Sequence, residues 1–197
     1  MNTDLNKLQP YPFEKLRQLN AGASPPSTLS PIALSIGEPT HATPAFIGTT
    51  LCEHLDELAH YPLTVGTGRL RNAIADWLYK RFNLSAANLS AETNILPVNG
   101  TREALFALAQ CVVDKHDNSL VMMPNPFYQI YEGAALLAGA EPYYMNCNAR
   151  HGFLPDFDTV STDDWNRCAL LYICSPGNPT GAVMDTALLK KIIGLAD

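Results

Sequence analysis

From residue 93 onward, short apolar runs alternate with helix-forming segments, and few architectures accept that rhythm. Asn94–Val98, Ser119–Met123, Glu141–Met145 and Leu170–Cys174 read as strands, the last overlapping the apolar run Cys168–Ile173. Between and after them, Arg102–Val113, Tyr128–Leu137 (closed by Gly139) and Asp185–Leu195 read as helices. Strands separated by helices pair in parallel, so the pattern predicts an α/β fold: a mostly parallel sheet flanked by helices. The segment 102–113 is apolar almost all round, which predicts a buried helix.

The first 92 residues follow a different pattern. Pro10, Pro12, Pro25, Pro26 and Pro31 interrupt residues 1–35 and leave room for one short helix, Phe13–Leu19. Helical spacing resumes after Pro44 and runs through Leu51, Leu55 and Leu58. A turn-rich loop follows at 61–68. Leu70, Ile74, Trp77, Leu78 and Phe82 then recur on one helical stripe.

Composition excludes several functions. The 197 residues are 47% apolar and 16% charged, which is globular rather than disordered, with a net charge of −6. No basic block exists, so nucleic acid is not an expected partner. No apolar stretch approaches a membrane span, and the first residues lack a signal-peptide pattern, so the expected location is the cytoplasm. The five cysteines and five histidines show no ligand spacing. His54 and His60 fall on different sides of a helix, while Cys111 and Cys168 lie in apolar segments and are expected to be buried.

The chemistry gathers at the strand ends. After the first strand comes Asn99-Gly100-Thr101-Arg102, a glycine at a helix start followed by a hydroxyl and a guanidinium. Free N–H groups, the helix dipole and Arg102 together suit a phosphate. Asn-Gly is also a common tight turn, but here helix-forming residues follow. The spacing is neither a P-loop nor a dinucleotide fingerprint. After the second strand, Pro124-Asn125-Pro126-Phe127-Tyr128 holds an aromatic ring on a proline-pinned loop. That ring can stack on a flat ligand or simply fill the core. After the last strand, Ser175-Pro176-Gly177-Asn178-Pro179-Thr180-Gly181 can aim the Asn178 amide at a ligand oxygen, or form an ordinary turn. An Asn-Pro bond there can be cis. Taken together, a phosphate cradle, a stacking ring and an amide donor suit a flat, phosphorylated, oxygen-bearing aromatic cofactor such as pyridoxal 5'-phosphate.

The same residues resemble the fold-type I pyridoxal-phosphate aminotransferases of class I/II. Ser35-Ile36-Gly37-Glu38-Pro39, Tyr61 with Gly66 and Leu70-Arg71, Gly100–Leu105, Pro126-Phe127-Tyr128 and Asn178–Gly181 stand in that family's order. The arm Leu8–Leu16 and the segment Pro124–Gly133 more narrowly resemble proteobacterial succinyldiaminopimelate aminotransferases. The resemblance implies transamination between N-succinyl-LL-2,6-diaminopimelate and 2-oxoglutarate, in lysine biosynthesis. It also implies a small-molecule amino or keto acid substrate and a homodimer. By position, Gly100, Thr101 and Arg102 would hold the cofactor phosphate, Tyr128 would stack on its ring and Asn178 would bond its phenolic oxygen. Tyr61 would reach the phosphate in the other subunit, and the Gly37 backbone would lie near the substrate carboxylate. Tyr61 can equally be a local packing residue, and Gly37 a turn.

The resemblance also implies residues that this sequence does not supply. The Schiff-base lysine of the family stands in an S-x-x-K-like loop, and none of Lys7, Lys15, Lys80, Lys115, Lys190 and Lys191 does. The D-E-x-Y aspartate and the carboxylate-binding arginine are likewise missing. The expectation is therefore an N-terminal half of such an enzyme, with residues 1–43 an arm and small-domain segment and 44–197 the first part of the large domain. Alone it is expected to be inactive and aggregation-prone. A different fold-type I activity (β-lyase or decarboxylase) and a non-catalytic cofactor-fold module remain as alternatives.

Overall fold

The computed structural model describes residues 2–32, 34–85 and 87–196. By compactness the chain divides into Met1–Gln9 with Val98–Asp197, and Pro10–Pro97. This division differs in kind from the family-based boundary at 43/44.

The unit Pro10–Pro97 holds α1 (Pro12–Asn20), α2 (Ala45–Glu53) and α3 (Gly68–Phe82). Pro12 starts α1, where its missing N–H costs nothing. The Thr67 hydroxyl accepts from Leu70 N to cap α3, and Asn83 ends that helix in a left-handed turn at φ 52°. Tyr79 donates to Leu89 O at 2.5 Å and Arg71 reaches the carbonyls of Ala91 and Glu92, so the segment after α3 folds back along it. Ala75 is the one buried residue described in these three helices. Leu70, Trp77 and Phe82 of the expected stripe remain exposed.

The other unit contains α4 (Thr101–Val112), β1 (Leu120–Asn125), α5 (Ile130–Ala138), β2 (Glu141–Asn146), α6 (Thr162–Arg167), β3 (Cys168–Leu171) and α7 (Thr186–Ala196). The strands form a parallel sheet in the order β2-β1-β3. β1 is central and its Leu120–Met123 are fully buried, as a strand covered on both faces must be. Its side chains alternate between two cores. Leu120 and Met122 join Met145, Phe157, Val160, Met184 and Ile192 on one face. Val121 and Met123 join Tyr131, Ala135, Ala140 and Tyr172 on the other. An irregularity in the β1–β3 register leaves Ala169 between the paired Cys168 and Leu170.

Local signals explain the element ends. α5 stops at Gly139, whose φ of 86° suits glycine, with Ala140 N donating back to Ala135 O. α6, which the apolar pattern does not reveal, begins at a reciprocal cap: Asp164 N donates to Ser161 Oγ, and that hydroxyl donates to Asp164 Oδ2. Asp185 accepts from Leu188 N at the start of α7.

Three expectations need correction. Asn94–Val98 is not a strand, because no described neighbour pairs with it and Pro97 lacks a donor. α4 is not buried all round: Ala109 is enclosed, but Leu108, Cys111 and Val112 are exposed on a side that no described residue covers. Cys168 is partly rather than fully buried, since β3 lies at the sheet edge among the described residues.

Candidate active site

The order β2-β1-β3 makes β1 a switch point. The chain leaves β1 for one neighbour and later crosses to the other side, which opens a crevice beyond the carboxyl ends of the strands. The loop after β1 carries Tyr128 to that end, and the loop after β3 carries Asn178.

Gly100 is the N-cap of α4 at φ 133°, and no side chain caps the helix there. That φ is strained for any residue with a Cβ, and a Cβ there would also meet the mobile Glu103 Oε2 at 2.8 Å. The opening N–H groups of α4 are therefore not closed off by a capping oxygen. Thr101 and Arg102, at the first two helical positions, are exposed. Arg102 Nε donates to Tyr128 Oη at 2.8 Å, and its guanidinium carbon lies 5.8 Å from the centre of that ring. The cation is thus held at the helix start by the ring itself. Behind Tyr128, Tyr131 meets it edge-on at 5.9 Å and 89°.

The Asn178 loop is held by its own bonds. Gly177 N donates to Ala182 O, Gly181 N to Gly177 O, Ala182 N to Thr180 Oγ1 and Met184 N to Ser175 Oγ. The peptide bonds Asn125–Pro126, Ser175–Pro176 and Asn178–Pro179 are cis. No described residue hydrogen-bonds the Asn178 side chain, so its amide is open to a ligand. It lines a shallow cleft of about 20 Å³ with Pro124, Pro126, Cys147, Cys174 and Thr180 among others. Burial pushes the Cys147 thiol above its ordinary value, which keeps it protonated near neutrality.

The structure therefore brings Arg102 and Tyr128 into direct contact at the α4 start. Asn178 faces a cleft that shares Pro126 with the Tyr128 loop. Gly37 and Tyr61 belong to the other compact unit. There Tyr61 is fully exposed at 101%, and nothing lies within 4 Å of the position a Gly37 Cβ would take. The thiols of Cys147 and Cys174 in the cleft escaped sequence reasoning. The available signal was their position just past strand ends.

A profile of aminotransferase class I and II matches residues 30–197. The chain belongs to this family. An LL-diaminopimelate aminotransferase of Dehalococcoides mccartyi is 38% identical over 81% of this chain and 40% of its own length. Its counterpart in Moorella thermoacetica is 34% identical over 98% of this chain and 48% of its own. Among solved structures, an aminotransferase from Neisseria meningitidis superposes with a TM-score of 0.93 at 44% identity, over 100% of this chain and 50% of that one. The aminotransferase AspB from Helicobacter pylori gives 0.87 at 33% identity, over 96% and 48%. This class I/II aminotransferase chain spans about half the length of the curated relatives it matches.

Members of the family use pyridoxal 5'-phosphate, and the residues described suit that group. An uncapped helix start with a guanidinium beside it fits a phosphate, an aromatic ring bonded to that guanidinium fits a flat ring, and an unoccupied amide fits a phenolic oxygen. The Glu103 carboxylate near Gly100 is the one feature that opposes an anion there.

Proposed function

We propose that this chain supplies the phosphate and ring contacts of an aminotransferase site that takes an amino acid and a keto acid. The carrying observation is the Arg102–Tyr128 hydrogen bond at the uncapped start of α4. When bound, pyridoxal 5'-phosphate supplies the electron sink that labilises a bond to the amino-acid α-carbon.

In this reading Gly100 and Thr101 offer backbone N–H groups to the phosphate, the Thr101 hydroxyl adds a donor, and Arg102 neutralises the charge. Its bond to Arg102 fixes the angle at which the Tyr128 ring faces the cofactor ring. Asn178 donates to the phenolic oxygen and so favours its ionised form. Gly37 lies near the substrate carboxylate, and Tyr61 reaches the phosphate of a second copy in a homodimer. Fully exposed as it is, Tyr61 suits an intersubunit role.

The substrate we infer is N-succinyl-LL-2,6-diaminopimelate, with 2-oxoglutarate as acceptor, in lysine biosynthesis. Two relatives named for LL-diaminopimelate support the diaminopimelate part, and the arm and the Tyr128 loop support the succinylated form. No lysine lines the Asn178 cleft, while Lys7 pairs with Asp4 and Lys191 with Asp158. Among the described residues none places an amine at this cleft, so alone the chain is expected to be inactive.

The test is an assay of 2-oxoglutarate consumption with cofactor supplied. The chain is used alone and then mixed with the part of the Neisseria meningitidis aminotransferase that it does not cover. Turnover of the succinylated substrate only in the mixture is expected. Turnover by the chain alone contradicts the inactivity, and turnover restricted to free LL-diaminopimelate contradicts the acyl preference.

A further inference from the structure

Tyr172, one residue past β3, sits on no ligand-facing loop and is 4% exposed. Its backbone N donates to Met122 O at 2.9 Å, extending the pairing of β3 with β1. Its hydroxyl donates to Leu105 O in α4 at 2.6 Å. Its ring stacks on Tyr131, with centroids 4.3 Å apart and planes 10° from parallel. Tyr131 meets Tyr128 edge-on, and Tyr128 accepts from Arg102. These contacts close a circuit. They leave α4 at Arg102, pass through three tyrosine rings, and return to α4 one turn later at Leu105.

A closed circuit constrains more than its separate links do. The bond from Arg102 to Tyr128 ties the ring to the end of a long side chain, not to the helix backbone. The second tie, at the Leu105 carbonyl, acts on the backbone itself and sets the start of α4 against the Tyr128 ring. Burial raises the Tyr172 hydroxyl above its ordinary value, with Tyr131 adding to the effect, so the donor keeps its proton at neutral pH. A buried tyrosine in a strand more often only fills space, and its hydroxyl then needs just a partner nearby. Here the partner, Leu105, lies one turn along from Gly100, Thr101 and Arg102 on the same helix.

We propose that Tyr172 is a positioning residue, whose hydroxyl locks the first turn of α4 in register with the Tyr128 ring. Its bearing on cofactor affinity rests on the phosphate reading of that turn given above. The lock itself does not, and the two fail separately.

The experiment uses the 197-residue chain, Tyr172→Phe, Tyr144→Phe and Arg102→Gln. Tyr172→Phe keeps the stacked ring and removes the hydroxyl. Tyr144→Phe removes another bonded tyrosine hydroxyl (to the Glu132 carboxylate, 2.5 Å), on an exposed side chain outside the circuit. Two readouts are taken: amide hydrogen exchange, and titration with pyridoxamine 5'-phosphate and with pyridoxamine. In Tyr172→Phe, exchange at the amides of 104 and 105, which close the first turn of α4, rises about fivefold, the scale of one net hydrogen bond, while β1 amides keep their protection. Affinity for pyridoxamine 5'-phosphate falls by a similar factor, affinity for pyridoxamine does not change, and Tyr144→Phe matches the parent. Unchanged exchange at 104 and 105, a rise equally large in β1, or the same effects from Tyr144→Phe would each overturn the lock. Faster exchange at 104 and 105 in Tyr172→Phe, together with full phosphate affinity in Arg102→Gln, would uphold the lock and sink the phosphate reading.

Discussion

Single side chains decide whether this chain can grip an anion. Arg102 is exposed at a helix start, yet it is not free to wander, because Tyr128 accepts its Nε hydrogen. Replacing Arg102 with lysine keeps a charge but loses the planar fork, and we expect pyridoxamine 5'-phosphate to bind about tenfold more weakly in Arg102→Lys, measured by calorimetry. Titration makes a second prediction. Burial is the first cause that raises the hydroxyls of Tyr131, Tyr144 and Tyr172 above the ordinary tyrosine value, with the Glu132 bond adding at Tyr144. Such groups stabilise the fold fully below about pH 10, where the unfolded chain is also protonated. That contribution is lost as pH rises through the folded-state values. Urea midpoints should hold from pH 8 to about 9.5 and fall above about 10; a midpoint flat to pH 11 contradicts it. Among the thiols, burial raises Cys147 and Cys168, while Cys52 and Cys111 are exposed. Iodoacetamide should therefore label Cys52 and Cys111 first, as peptide mapping over time will show.

At the level of elements, β1 and the turn after α5 hold the sheet in place. Met122 is fully buried in the core that also contains Met145 and Ile192. Met122→Ala should cost about 2–5 kcal/mol in chemical denaturation, because a cavity opens in a strand enclosed on both faces. Gly139 has φ 86°, and an added Cβ would stand 2.7 Å from Lys115 Cβ. Gly139→Ala should therefore destabilise by more than about 1 kcal/mol, against a gain of under about 1 kcal/mol where alanine fits. How far the sequence discloses these elements follows from what each depends on. Leu120–Met123 is a continuous apolar run, and local composition alone marks a strand buried on both faces. Gly139 and the prolines around Asn178 are likewise local signals. Asn94–Val98 looks equally strand-like, but a strand exists only with a partner, and partners are not local. α4 carries apolar residues all round, yet burial depends on what packs against each side, so Cys111 emerges exposed. The ring of Tyr128, Tyr131 and Tyr172 is invisible for the same reason. In sequence Tyr172 is one more apolar strand residue, and only the fold sets it beneath Leu105.

Across the whole molecule, enclosed apolar surface is unevenly shared. The unit Met1–Gln9 with Val98–Asp197 contains both cores, whereas the helices of Pro10–Pro97 bury little beyond Ala75 and leave Leu51, Leu70 and Trp77 exposed. Limited proteolysis should therefore cut first within residues 10–97 and leave a resistant product that contains β1. An exposed apolar surface of this kind should also bind a hydrophobic dye and favour association at high concentration, which sedimentation at several loadings will report. The central claim is that the start of α4, paired with Tyr128, receives the phosphate of a flat cofactor. Its most direct test is titration of pyridoxamine 5'-phosphate into the 197-residue chain and into Arg102→Gln, with phosphate-free pyridoxamine as the comparison. Saturable binding that weakens about tenfold or more in Arg102→Gln, with little change for pyridoxamine, is the predicted result. Equal affinity of both proteins for the phosphorylated ligand would contradict it.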